Sequence, residues 1–136
     1  MILRPRHRMA ARSWLFVVTA VLELGAALAL LAVPAVIIGV VFGSRVDVLA
    51  AAGLARLAGA ALLSLAAACW WARHDLQSAA SRALVGALLI YNGAVVALII
   101  AGALGALGPL QWAVMVLHGV MAIWCVWIAP FRVRGV

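Results

Sequence analysis

The sequence contains no lysine and only three acidic residues, Glu23, Asp47 and Asp75, in a chain of 136 residues. Charged residues make up 10% of the chain and hydrophobic residues 70%, whereas a soluble domain is typically about a quarter charged and about half apolar. The polar surface that this composition can supply is too small to cover a water-facing globule. The composition therefore predicts an integral membrane protein.

Sequence signatures of catalysis are also lacking. The two cysteines, Cys69 and Cys125, form no Cys-x-x-Cys motif, so we expect them to act as small apolar packing residues. The chain has no phosphate-binding glycine loop, serine nucleophile elbow or zinc-protease helix motif. We therefore expect a protein that is not an enzyme and that carries no cofactor.

Four apolar runs are each close to the 20 residues that a helix needs to cross a bilayer. They cover residues 14–33, 48–72, 83–104 and 110–129 and follow a basic N-terminal arm, residues 1–12. The first apolar segment continues to residue 42 and would extend about 45 Å as one helix, so we expect a break near Pro34. The sequence predicts an all-α, integral membrane four-helix bundle that forms a single transmembrane domain, residues 1–136.

The arginines fix the predicted orientation of this bundle. The net charge is +7, but the basic residues lie at the ends of apolar runs, so we expect contact with anionic lipid headgroups and not with nucleic acid. One side of the predicted bundle has a single arginine, Arg45, and Arg56 lies within a span. The other side holds Arg4, Arg6, Arg8, Arg12, Arg73, Arg82, Arg132 and Arg134. Short arginine-rich segments stay in the cytoplasm, which predicts that both termini are cytoplasmic.

Each predicted span carries an ionisable or hydrogen-bonding residue far from both of its ends. By the helical rise of about 1.5 Å per residue, these residues fall in one layer near the middle of the membrane: Glu23, Arg56, Tyr91, Asn92 and His118. Glu23 and Arg56 are the opposite charges at this depth, so we expect them to form a buried ion pair.

Two interpretations of this layer stay open. The residues could line a ligand pocket or a proton route, since ionisable residues within a membrane are functional candidates. They could instead form a closed hydrogen-bond network that fixes which helices touch. We expect no metal site, because the layer offers only His118, Glu23 and weakly Tyr91 as ligands.

Small residues recur every four positions on the third span, at Gly93, Ala97, Ala101 and Gly105. Membrane helices use such stripes for close packing. The stripe predicts either tight packing inside the bundle or a contact with a second copy.

Three segments resemble a group of uncharacterised small four-helix bacterial membrane proteins. They are residues 53–73, the pair Tyr91 and Asn92, and residues 112–118, and the resemblance extends from about Pro34 to Trp127. It implies a multi-pass protein of the bacterial inner membrane and implies no activity.

Two functions are compatible with these observations. The first is a non-enzymatic membrane protein that acts through helix association, either as a homo-oligomer or as an accessory subunit of a membrane complex. The second is a small proton-linked transporter or a protein that binds a lipophilic, quinone-like ligand in the polar layer. The second function requires a cavity beside the layer, which only a structure can show.

Overall fold

The computed structural model describes residues 5–42, 47–102 and 108–129 of the chain. These residues form helices and no strand: α1 (Pro5–Ala32), α2 (Pro34–Phe42), α3 (Val48–Ala72), α4 (Ala79–Ile100) and α5 (Pro109–Ile128). All of them except the short α2 are long and apolar enough to cross a membrane. The predicted all-α membrane bundle with four spanning helices is confirmed.

The predicted break in the first apolar segment is confirmed at Pro34. Helix α1 ends at Ala32 and α2 begins at Pro34, where the missing proline amide would have no intrahelical partner in any case. The carbonyl of Val33 accepts hydrogen bonds from the amides of Val36 and Ile37, at 3.1 and 3.2 Å. The chain therefore starts a new helix at this point.

The first helix begins earlier than the hydrophobic pattern predicts. Residues 5–12, expected to form a separate basic arm, are the first turns of α1. Arginine is a good helix former and Pro5 suits a first helical position, so the helix extends beyond the apolar run. Side-chain contacts hold this part in place, because Arg12 donates to the carbonyl of Leu76 at 2.5 Å and Ser13 to that of Arg73 at 3.1 Å.

Helix α4 is displaced by four residues relative to its predicted range of 83–104. It starts at Ala79 because the hydroxyl of Ser78 accepts the amide hydrogen of Ser81 at 3.0 Å and so caps the first turn. It ends at Ile100, after which Gly102 takes a positive φ of 72°, a conformation that suits glycine. Residues 43–46, 103–107 and 130–136, which include the predicted loops around Arg45 and Gly105, lie outside the described residues.

The helices pack as two pairs, α1 with α3 and α4 with α5, and α1 also contacts α5. Helices α1 and α3 approach each other closely at Gly59, where an added Cβ would lie 3.0 Å from Cγ of Leu31 and 3.1 Å from the carbonyl oxygen of Ala27. A small residue is needed at this crossing, as membrane helix contacts generally require.

The main hydrophobic core joins all four spanning helices at one end of the bundle. Its members include Phe16 of α1, Cys69 of α3, Leu88 of α4 and Cys125 of α5. The starts of α1 and α4 and the ends of α3 and α5 meet here, together with Arg8, Arg12, Arg73 and Arg82, and we call this the arginine-rich end. At the opposite end, Gln111 of α5 donates from Nε2 to the carbonyl of Val41 in α2 at 2.6 Å.

Candidate functional site

Four of the five residues predicted for the polar layer lie around one cavity. Glu23 comes from α1, Tyr91 and Asn92 from α4, and His118 from α5. The cavity has a volume of about 180 Å³ and lies between these three helices. We refer to it as the polar pocket.

Asn92 and His118 hold each other in one orientation. The Asn92 amide donates from Nδ2 to the carbonyl of Leu88 at 2.7 Å, so its Oδ1 faces Nδ1 of His118 at 2.8 Å. Because Oδ1 can only accept, Nδ1 of His118 carries the hydrogen, and Nε2 of the neutral ring is an acceptor. No residue in the described part of the chain donates to this Nε2. His118, which lines the pocket, therefore keeps an unused hydrogen-bond acceptor.

Glu23 faces the same pocket from α1. Its side chain is 7% exposed, and the Tyr91 hydroxyl donates to its Oε2 at 3.4 Å, which is long for a hydrogen bond between two oxygens. The Tyr91 ring meets the His118 ring edge to face, with centroids 5.5 Å apart. These contacts link Glu23 to the Asn92 and His118 pair and leave capacity on the carboxyl group to accept further hydrogen bonds.

The structure does not bring Arg56 into this group. Helix α3 turns the face with Gly59 and Cys69 toward the bundle, and Arg56 lies outside that face, exposed on the protein surface. The contacts of Glu23 in the described structure are with Tyr91 and not with arginine. The predicted Glu23 and Arg56 ion pair is therefore absent from the described structure. Helix α3 is rotated so that the Arg56 side chain points away from the bundle, although its position along the helix would allow pairing.

Sequence reasoning missed Thr19, which also lines the polar pocket. Its side chain is 2% exposed, and its hydroxyl has no hydrogen-bond partner in the described structure. Its spacing could have identified it, because Thr19 precedes Glu23 by four positions and residues at this spacing share one helix face. A buried hydroxyl without a partner is costly, and rotation about χ1 of Thr19 would bring the hydroxyl to the pocket that its side chain lines.

A larger apolar groove continues from the polar pocket toward the opposite end of the bundle. It has a volume of about 650 Å³ and is lined by apolar side chains of α1, α2, α3 and α5. Ala26 and Val114 line both cavities. The polar pocket and this apolar groove are therefore neighbours that share two lining residues.

The small-residue stripe of α4 is not used inside the bundle. Gly93, Ala97 and Ala101 are all exposed, and nothing lies within 4 Å of a Cβ placed on Gly93. Gly105, the last predicted member, lies outside the described residues. The described helices therefore do not use the stripe for packing within the bundle. Contact with a second copy, the other predicted use, stays a prediction.

The described residues contain no group of three or more histidine, cysteine or acidic residues that could hold a metal ion. Comparisons with family models, with curated proteins and with solved structures find no match to this chain. The function is therefore inferred from the geometry of the membrane-spanning helices and their cavities.

Proposed function

We propose that this small membrane protein binds a lipophilic molecule whose polar head occupies the polar pocket. The observation that carries this proposal is the polar pocket of about 180 Å³, which is lined by Glu23, Asn92 and His118 and beside which the Thr19 hydroxyl is buried without a partner. Nε2 of His118 and the Glu23 carboxyl point to the same conclusion, because both retain capacity to accept hydrogen bonds from a guest. A closed structural network would have satisfied these groups internally.

The chemistry of the pocket favours an uncharged head group that donates hydrogen bonds. The lining residues offer two acceptors, His118 Nε2 and the Glu23 carboxyl, and one hydroxyl, that of Thr19, which can donate or accept. An anionic head is disfavoured because Glu23 lines the pocket and no arginine does. A hydroxyl group, as in an alcohol or a hydroquinone, matches this set.

The size of the pocket limits the head to about one ring. A cavity of about 150 Å³ accommodates benzene, and the polar pocket has about 180 Å³. The neighbouring groove, at about 650 Å³ and lined by apolar side chains, suits the hydrocarbon tail of such a molecule. A phospholipid would have to place its charged head in the middle of the membrane to fit this arrangement, which is unfavourable.

The head-group proposal is tested with a decyl-substituted hydroquinone and its dimethyl ether, titrated against the protein in phosphatidylcholine nanodiscs. The ether keeps the ring and the decyl chain but replaces both hydroxyl hydrogens by methyl groups, so we expect it to bind at least three- to tenfold more weakly, the value of one lost hydrogen bond. Thr19→Val is expected to weaken hydroquinone binding by a similar factor.

Ser64→Ala is the matched control, because it removes an exposed hydroxyl that bonds to the Ala60 carbonyl on α3, away from the pocket. Equal binding of the hydroquinone and its ether, or equal binding by the wild type and Thr19→Val, would contradict the proposal.

The tail is tested separately by filling the apolar groove. Ala55 lines the groove on α3, whereas Ala61 is exposed on the same helix and lines neither cavity. We expect Ala55→Phe to abolish the affinity that the decyl chain adds over the ring alone, and Ala61→Phe to preserve it. If the ring binds but Ala55→Phe has no effect, the tail does not lie in this groove while the head site stands.

Proton-linked transport of the same ligand is an extension of this function. Glu23 and His118 are the proton-exchanging groups beside the pocket, and both contact α4 through Tyr91 or Asn92. Uptake of the hydroquinone into proteoliposomes that depends on a pH gradient, and that Glu23→Gln abolishes, would support transport over binding alone.

We further propose that the protein resides in the bacterial inner membrane with both termini cytoplasmic, as the arginine distribution favours.

A second candidate function is association with another copy or with a larger membrane complex. It is favoured by Arg56, a charged residue exposed on a spanning helix, and by the exposed stripe of Gly93 and Ala97. A partner helix could satisfy both features. If the protein is a strict monomer in mild detergent and in nanodiscs, and purifies with no other protein, this candidate is excluded.

A further inference from the structure

A basic groove lies at the arginine-rich end, apart from the polar pocket. It has a volume of about 370 Å³ and is formed by α1, by α4 and by the segment between α3 and α4. Six residues line it: Arg8, Met9, Arg12, Leu76, Gln77 and Arg82. Three of the six are arginines and none is acidic.

Two guanidinium groups converge on one short stretch of chain. Arg12 of α1 donates from Nη1 to the carbonyl of Leu76, and Arg82 of α4 donates from Nη1 to the carbonyl of Gln77, both at 2.5 Å. These carbonyls belong to consecutive residues, so the two side chains approach each other from different helices. Arg8 lies one helical turn before Arg12 on the same face of α1.

Each of these arginines keeps unused hydrogen-bond donors. A guanidinium group carries five N–H donors, whereas Arg12 and Arg82 each bond to one carbonyl through Nη1. Asp75, the acidic residue nearest to Arg82 in sequence, accepts a hydrogen bond from the Ser78 amide at 3.3 Å and lines a different cavity. Like charges that are held together in this way favour a bound anion.

We propose that this groove binds the phosphate of an anionic phospholipid headgroup. Arg8 begins the first helical stretch that is long and apolar enough to cross a membrane, which puts the groove at the end of a candidate span, where lipid headgroups would lie. Arginine is well suited to this contact because its planar fork binds phosphate through two parallel hydrogen bonds. Three positive charges match a lipid with two phosphates, such as cardiolipin, better than a lipid with one.

The experiment measures lipid binding by native mass spectrometry of the full chain released from micelles that contain cardiolipin, phosphatidylglycerol or phosphatidylcholine. We expect affinity in the order cardiolipin, phosphatidylglycerol, phosphatidylcholine. Arg82→Gln and Arg8→Gln are each expected to lower cardiolipin affinity about fivefold, the effect of one arginine near an anionic surface.

Arg73→Gln is the matched control for the loss of one positive charge. Arg73 lies at the same end of the bundle, but its guanidinium stacks on the Trp70 ring at 3.6 Å and donates to the Trp70 carbonyl, and it does not line the groove. We expect it to retain wild-type cardiolipin affinity. An equal loss in Arg73→Gln and Arg82→Gln would overturn the proposal, since binding would then depend on total charge.

The source of the phosphate is tested by competition. Inorganic phosphate and pyrophosphate are added at millimolar concentration during the cardiolipin titration. We expect little displacement, because the lipid tails add affinity that a free anion lacks. Complete displacement would show that the groove selects a soluble anion and would overturn the lipid assignment. Arg82→Lys, which keeps the charge but loses the fork, is expected to bind more weakly than the wild type while retaining its fold.

Discussion

At the scale of single residues, the hydroxyl of Thr19 is buried beside the polar pocket without a hydrogen-bond partner. Its burial without a partner costs about 1 to 3 kcal/mol in the free protein. We therefore expect Thr19→Val to raise the free energy of unfolding by about 1 kcal/mol while it weakens ligand binding. Thermal unfolding in detergent without ligand checks this expectation, and a marked loss of stability would show that the hydroxyl has a structural partner.

The contact between Asn92 and His118 is expected to be structural as well as functional. Asn92 bonds to both His118 and the Leu88 carbonyl, so Asn92→Leu leaves the Nδ1 hydrogen of His118 without an acceptor. In a double-mutant cycle with His118→Phe, we expect a coupling free energy of about 0.6 to 1.7 kcal/mol, the range found for hydrogen bonds between membrane helices. A coupling near zero would mean that the two side chains do not bond in the folded protein.

For Glu23 and Arg56 we expect no coupling free energy. Because Arg56 is exposed and Glu23 bonds to Tyr91, Glu23→Gln and Arg56→Leu are expected to have additive effects on the free energy of unfolding, within about 0.5 kcal/mol. The wild type, the two single variants and the double variant are unfolded in the same detergent. A double variant more stable than either single variant would show that Glu23 and Arg56 do form the ion pair that the sequence predicts.

These residues show how far depth along a helix can locate a site. The positions of Glu23, Asn92 and His118 in their spans were sufficient to place them in one layer, since the helical rise converts sequence position into depth. Depth does not specify which face of a helix points into the bundle. The predicted pairing of Arg56 with Glu23 is wrong for that reason. Thr19 was overlooked because threonine is neither charged nor rare in apolar runs, although its spacing from Glu23 placed it on the same face.

At the scale of helices, the crossing of α1 and α3 depends on Gly59. A Cβ added there would lie 3.1 Å from the carbonyl oxygen of Ala27, whereas one added to Gly53 on the same helix meets nothing within 4 Å. We expect Gly59→Leu to lower the free energy of unfolding by about 1 to 3 kcal/mol and Gly53→Leu to be tolerated. Unfolding in detergent compares the two, and equal effects would contradict the observed α1 and α3 packing.

Helix ends were harder to predict than helix centres. The apolar runs located the middle of each span, because hydrophobicity decides which residues enter the bilayer. The start of α4 instead depends on the Ser78 cap, and the start of α1 on polar contacts between Arg12 or Ser13 and the carbonyls after α3. Such contacts form between segments that are distant in sequence or depend on local capping, and hydropathy does not detect them.

At the scale of the whole molecule, the orientation in the membrane is a testable consequence of the arginine-rich end. Gln77 is exposed in the segment between α3 and α4, and Asp47 is exposed just before α3 at the other end. We expect a membrane-impermeant maleimide added outside intact cells to label Asp47→Cys and not Gln77→Cys. The native cysteines, Cys69 and Cys125, are buried and give little background. The reverse labelling pattern would contradict cytoplasmic termini.

The sequence by itself determined that this protein belongs in a membrane, the number of its spanning helices and the break at Pro34. These properties follow from composition and from distance along a helix, which need no knowledge of neighbours. The tertiary structure decided which faces of the helices meet. It separated Arg56 from Glu23, added Thr19 to the polar pocket, placed that pocket beside the apolar groove and brought Arg12 and Arg82 together. Each of these outcomes depends on helix rotation and close packing, which one sequence does not specify.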